Sequence, residues 1–142
     1  MNNLLKEIQV NKTKKVIYCM NTDYEVIAQY PVGTDYYEGF NENGEPYSNV
    51  DDGVYDIVRM DIDYPYSLSA AYGWAYIQLD TRGRAIHGGG SNLGYDMANA
   101  PYQELLPTYG CFRMHNAEVF ALAQAVRNAQ RNGIHVDVTV VS

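Results

Sequence analysis

Basic charge is scarce in this chain. Ten Lys and Arg stand against seventeen Asp and Glu, for a formal net charge of −7. Phosphate backbones and anionic bilayers attract positive surfaces, so this deficit argues against a nucleic-acid partner and against adhesion to an acidic membrane. Long apolar runs are also missing, so no membrane span is expected. Cysteine and histidine are few, two and three respectively, and they are dispersed. No pair has the spacing of a zinc site, so no metal and no cofactor is expected. The glycines after His87 do not open a helix and are no dinucleotide fingerprint. The segment "MNNLLKEIQVNKTKK" lacks the apolar core of a secretory signal. Either export runs by another route or the sequence has been trimmed.

What is present is tyrosine, fourteen in 142 residues. Tyrosine suits half-buried strands and surfaces that bind sugars or peptides. The length suits one domain, 1–142, large enough to bury roughly two-thirds of its unfolded surface without a disulfide or metal. Residues 1–13 are polar and read as a short helix or a loose N-terminal arm. "KKVIYCMN" and "YEVIAQYPVG" form a hairpin around "NTD". "TDYYEGFNENGEPYSNVDDG" is a long loop, "GVYDIVRMDI" a strand and "DYPYSLSAAYG" an irregular surface stretch. "WAYIQLD" and "AIHG" are strands joined by a turn in "TRGR". "GGGSNLGYDMANAPYQELLP" is a loop, with a helical turn near Tyr102 to Leu106.

After Cys111 the period changes from strand to helix. Asn116 is the expected N-cap and Glu118 lies in the first turn, where its charge favours the dipole. Val119, Ala123, Val126 and Gln130 define one face, with Phe120 and Leu122 beside it. Asn132 and Gly133 stop the helix, and "IHVDVTVV" is a last strand. The expected fold is mainly β, a sandwich or half-barrel with one α-helix after the cysteine.

Cys19 sits in a strand-like run and Cys111 in a glycine turn before the helix, so they read as unpaired. A nucleophilic cysteine needs a base, a group that orients the base, and N–H donors for an oxyanion. Gly110 lets the N–H groups of Tyr109, Gly110 and Cys111 converge. His87, at a strand end entering a loop, is the candidate base, and the Gly88 carbonyl is placed to orient it. His115 is expected to face solvent or cap the helix, and His135 has no reason to reach Cys111. On spacing alone two readings stand. Cys111 is a nucleophile, or it is a small apolar core residue, which is the common state of free cysteine.

"IHG", followed by a loop and "TYGCFRMHNAE", resembles the signature of the L,D-transpeptidase (YkuD-like) catalytic domain. Thr108, Gly110, Cys111, Phe112, Arg113, Met114, Asn116 and Glu118 match its positions. "KKVIYCMNTDYEVIAQYPVG" resembles the family's opening hairpin, and the likeness runs from about Lys14 nearly to the end. It implies a YkuD-type β-sandwich acting on peptidoglycan stem peptides in the bacterial periplasm or cell wall. Cys111 would attack the amide before a terminal D-Ala. The thioester would pass to an amine (a 3–3 crosslink), to water or to a D-amino acid. His87 would be the base, Gly88 its orienting group, and Tyr109, Gly110 and Cys111 the oxyanion hole. Arg113, Tyr109 and Thr108 would line the substrate site, with Arg113 holding a carboxylate or serving structure alone.

Three departures stand out. Tyr109 occupies the place of the family's motif histidine. Twenty residues separate His87 from Thr108, more than is usual, and this longer loop reads as a lid. Asp51-Asp52 replaces a Thr-Pro pair. Two other readings follow. One is a non-catalytic peptidoglycan-binding domain with a decayed site. The other is a phage-encoded or secreted antibacterial effector using the same chemistry, with an immunity or phage partner.

Overall fold

Alternating β-branched and polar residues build most of this chain into strands. The computed structural model describes residues 2–63, 69–79 and 83–142. Among them are β1 (Leu5–Asn11), β2 (Val16–Asn21), β3 (Val26–Pro31), β4 (Gly53–Ile62), β5 (Ala75–Leu79), β6 (Ala85–His87), β7 (Phe112–Arg113) and β8 (Asp137–Val141). The helices are α1 (Tyr95–Ala98) and α2 (Asn116–Arg131), with a 3-10 turn at Ser91–Leu93. The strand order is β3-β2-β1-β8-β4-β5-β6-β7. Pairing is antiparallel except between β1 and β8 and between β6 and β7.

β4 makes the sheet curl. Gly53 to Asp56 pair with β8, whereas Ile57 to Ile62 pair with β5, and the register shifts between Ile57 and Arg59. Such irregularities bend a strand and raise its twist. The curled sheet wraps α2, which packs on β1, β4, β5 and β6. Val119, Leu122, Ala123, Val126 and Ala129 of α2 meet Ile8, Val10, Ile77, Leu79, Val138 and Val140 in one core. Each large apolar side chain buried there contributes about 1.5–3 kcal/mol relative to exposure.

The mainly-β expectation holds, as does the hairpin of β2 and β3. Four local expectations do not. The segment expected as a loose arm or short helix contains β1, which lies inside the sheet between β2 and β8. Its Leu5, Ile8 and Val10 are buried, but a register shift between Leu5 and Glu7 breaks the period of two that would have marked a strand. The helical turn falls at residues 91–98, not at Tyr102 to Leu106. His115, not Asn116, is the N-cap residue of α2, and it makes no side-chain cap bond. Gln130 is exposed, and Ala129 takes the inward position. The first half of the turn expected in "TRGR", and residues 64–68 of the irregular stretch, lie outside the described residues.

Candidate active site

β6 and β7 run side by side, with Ile86 opposite Phe112 and His87 opposite Arg113. Both strands are buried. This pairing carries Cys111, one residue before β7, and His87, at the end of β6, to the wall of a single cleft of about 300 Å³. Tyr37, Tyr72, Tyr109 and Arg113 also line it.

His87 is 3% exposed. Its Nδ1 lies 2.7 Å from the Gly88 carbonyl oxygen. A carbonyl can only accept, so Nδ1 carries the proton and Nε2 keeps a lone pair. Tyr72 meets the ring edge-on at 5.1 Å and Tyr76 stacks on it at 6.2 Å. Burial pushes the imidazole down to about 4; the Gly88 bond opposes this and Arg113 adds to it. His87 is therefore neutral at pH 7 and able to take a proton.

Cys111 is a free, partly buried thiol. Burial raises its pKa, while the Ala85 backbone and the charges of Arg84 and Arg113 pull it down. The resting pair is a neutral thiol and a neutral imidazole. No hydrogen bond joins the two side chains among the described residues, as is common before substrate binds. Cys19 is a buried core residue whose pKa is pushed up to about 12 by burial.

The turn before Cys111 is knit by Thr108. Its Oγ1 accepts from Gly110 N at 3.1 Å and from Cys111 N at 2.7 Å, and it donates to Cys111 O at 2.8 Å. Two of the three N–H groups expected to face an oxyanion are thus bonded inside the turn. The Tyr109 N–H has no such bond among the described residues. Gly110 sits at φ +118, a conformation side chains avoid, and a Cβ there would strike the Ser48 carbonyl. Tyr109 itself is 65% exposed. Its ring leans on Tyr37 and Tyr47, each with a centroid 5.0 Å away.

Arg113 is 6% exposed. Its Nη1 donates to the Leu106 and Pro107 carbonyls, each at 3.1 Å. Its buried Nε has no partner, and no carboxylate pairs with it among the described residues. Burial lowers its pKa. An unpaired buried guanidinium is costly, and this one borders the cleft.

Behind His87 lies a polar hub that the sequence did not mark. Asn116 Oδ1 accepts from Gly89 N at 3.0 Å and from Trp74 N at 3.3 Å. Its Nδ2 donates to the Ala98 and Ala100 carbonyls at 2.8 and 2.6 Å. Gln103, 2% exposed, donates to Gly89 O and Met114 O and accepts from Asn116 N. A Cβ on Gly88 would collide with Asn116 Oδ1. These bonds fasten the loop expected as a lid at its start, Gly89, and in its second half, while its Ser91 and Asn92 border the cleft.

The other histidines lie outside the cleft lining. His115 Nδ1 is 2.9 Å from Gln103 O. His135 Nε2 is 2.7 Å from Asp56 and 3.2 Å from Asp137. These three residues have potential ligand atoms within 4.8 Å of one another. Lys6 stands 3.6 Å from Asp137, and together they make a partly exposed charge network across β1, β4 and β8.

No family model and no curated protein matches the chain. Solved structures do. An L,D-transpeptidase from Xylanimonas cellulosilytica is 17% identical with a TM-score of 0.60, covering 95% of this chain and 59% of that one. An L,D-transpeptidase (Yku) from Stackebrandtia nassauensis is 14% identical with a TM-score of 0.63, covering 97% and 56%. A mutant L,D-transpeptidase from Enterococcus faecium is 12% identical with a TM-score of 0.52, covering 96% and 49%. This chain therefore spans about half to three-fifths of the length of each. No helix among the described residues is long and apolar enough to cross a membrane. The curled sheet wrapped round one long helix is the YkuD-type L,D-transpeptidase fold.

Proposed function

We propose that this protein is a cysteine acyltransferase acting on peptidoglycan stem peptides in the bacterial periplasm or cell wall. The observation that carries the reading is the shared cleft of Cys111 and His87, with His87 Nδ1 fixed by the Gly88 carbonyl at 2.7 Å. With Nδ1 bonded to the Gly88 carbonyl, the lone pair on Nε2 is free to serve as the base. His87 Nε2 takes the Cys111 proton as Sγ attacks the amide carbonyl before the terminal D-Ala. The tetrahedral oxyanion collapses, the C–N bond breaks, and His87 returns the proton to the departing amine. A thioester remains on Cys111. An amine, water or a D-amino acid then attacks it, giving up its proton to His87, and the thiol is restored.

The Tyr109 N–H is available to the oxyanion. The N–H groups of Gly110 and Cys111 become available only as their bonds to Thr108 Oγ1 loosen. Arg113 holds a substrate carboxylate, which supplies the counter-charge its buried guanidinium lacks. Mass spectrometry of a tetrapeptide muropeptide incubated with wild type and Cys111→Ala tests the reading. Loss of D-Ala, a dimer or an exchanged end group in wild type alone supports it, and the product names the acceptor.

One observation favours a second reading, a binding domain without turnover: Thr108 already occupies two of the three N–H groups. Retention on sacculi by a folded protein that leaves the muropeptide unchanged would select it.

A further inference from the structure

The cleft's motif residues do not explain what holds the cysteine turn from outside. Arg84 stands immediately before β6. Its Nη1 donates to Asn49 O at 2.5 Å and its Nη2 to Ser48 Oγ at 2.9 Å. Its Cζ and Nε lie 3.4 and 3.6 Å from the position a Cβ would take on Gly110. The guanidinium is therefore wedged between the 48–49 backbone and the residue preceding Cys111. The 34–52 loop grips the same turn elsewhere: Tyr37 N donates to Thr108 O at 2.7 Å, and Thr108 N to Asp35 O at 3.1 Å. Asn49 Nδ2 ties the loop back on itself at Thr34 O, 2.8 Å away.

The charges round Cys111 are one-sided. The titratable groups bordering it are His87 on β6, Tyr76 on β5, and Tyr37, Tyr72 and Tyr109 along the cleft. The cations are Arg84 and Arg113. Neither has a carboxylate within ion-pair distance among the described residues. In a chain of net charge −7, two arginines without acid partners next to one thiol form a local positive field.

We propose that Arg84 is a positioning residue of the cysteine turn, clamping the 48–49 segment against Gly110 and keeping a permanent positive charge beside Cys111. The charge favours the thiolate and the oxyanion that follows it, and the two-pronged hydrogen bond fixes the backbone from which both are presented. The role rests on reading Cys111 as the nucleophile, but it is tested on the thiol itself. Failure of the test and absence of muropeptide turnover are therefore separate results.

The experiment is alkylation of Cys111 by iodoacetamide across pH 6–11, located by peptide mass spectrometry, in wild type, Arg84→Gln and Arg84→Lys. Iodoacetamide reads the thiolate fraction. Arg84→Gln is expected to move the midpoint up by about one pH unit and to slow alkylation at pH 7.5 about tenfold. Arg84→Lys keeps the charge, so its midpoint stays at the wild-type pH. It loses the fork, so amide exchange across residues 44–52 quickens. An unchanged profile in Arg84→Gln, or an Arg84→Lys profile displaced like that of Arg84→Gln, overturns the proposal. Should Arg84→Gln fail to fold, Arg84→Lys carries the test alone: a displaced midpoint there refutes the role of the charge.

Discussion

Asn116 Oδ1 accepts the Gly89 N–H at 3.0 Å, tying the start of α2 to the loop that leaves His87. The same side chain meets Trp74 N and the Ala98 and Ala100 carbonyls. Asn116→Ala removes a hydrogen bond from each of four backbone groups, and an expected loss of roughly 3 kcal/mol follows. Asn116→Asp keeps the acceptor but turns a carboxylate on two carbonyls, and it loses nearly as much. Urea unfolding measures both. A loss under 1 kcal/mol in each would mean that the hub does not hold the loop.

His87 gives stability a defined pH dependence. Its folded pKa, about 4, lies below its ordinary value of 6.5. Between those values the unfolded chain takes up a proton that the folded one refuses, so stability falls as pH falls through that window. The full effect is about 3 kcal/mol. The difference between wild type and His87→Gln isolates it from the carboxylates. The acid limb of acylation is expected near pH 4 for the same reason; a limb near 6.5 would show a solvated imidazole. His87→Ala should slow acylation sharply.

The two cysteines should behave as opposites. Cys111→Ala abolishes D-Ala release and leaves the melting temperature nearly unchanged. Cys19→Ala keeps activity near wild type and loses about 1 kcal/mol of stability, because it opens a small core void. Full turnover in Cys111→Ala would end the thioester mechanism.

Arg113 is tested on the substrate as well as on the protein. Wild type should turn over a stem with a free terminal carboxylate at least tenfold faster than its C-terminal amide. Arg113→Met should lose most of that preference. If wild type does not discriminate between the two, the guanidinium serves structure alone.

Tyr109 leans its ring on those of Tyr37 and Tyr47, and among the described residues no ring contact joins it to His87. Tyr109→Ala should therefore raise KM several-fold with kcat within about threefold, and remove ring contacts worth roughly 1 kcal/mol. A collapse of kcat with KM unchanged would place Tyr109 in the chemistry instead.

The β elements and the long helix were legible because their residues repeat with the right period, as in Val138 and Val140 on β8 or Val119, Ala123 and Val126 on α2. β1 was hidden by its register shift, which moves Leu5 out of phase with Ile8 and Val10. Cys111 and His87 stood out through the resemblance of their motifs, because spacing and the glycines beside them left Cys111 open between nucleophile and core residue; the fold places both on one cleft. The role of Asn116 was not, because an asparagine before a helix ordinarily caps it, and only the fold brings Gly89, Ala98 and Ala100 to its amide. Gln103 and Arg84 lie in irregular segments, where no period marks a buried or clamping side chain.

The parallel pairing of β1 with β8 bears on the expected order of folding. Glu7 stands opposite Asp137, so the middle of the sheet joins segments separated by nearly the whole sequence. The β2–β3 and β4–β5 pairs are local and are expected to form first. β8 can enter between β1 and β4 only after a long loop closes, which puts such topologies in the millisecond-to-second range. Until then Val10 and Val138 border unpaired strand edges, the kind of surface through which partly folded chains associate. Refolding yield should therefore fall as protein concentration rises, while the native molecule, with β8 in place, gives no such opening at its centre.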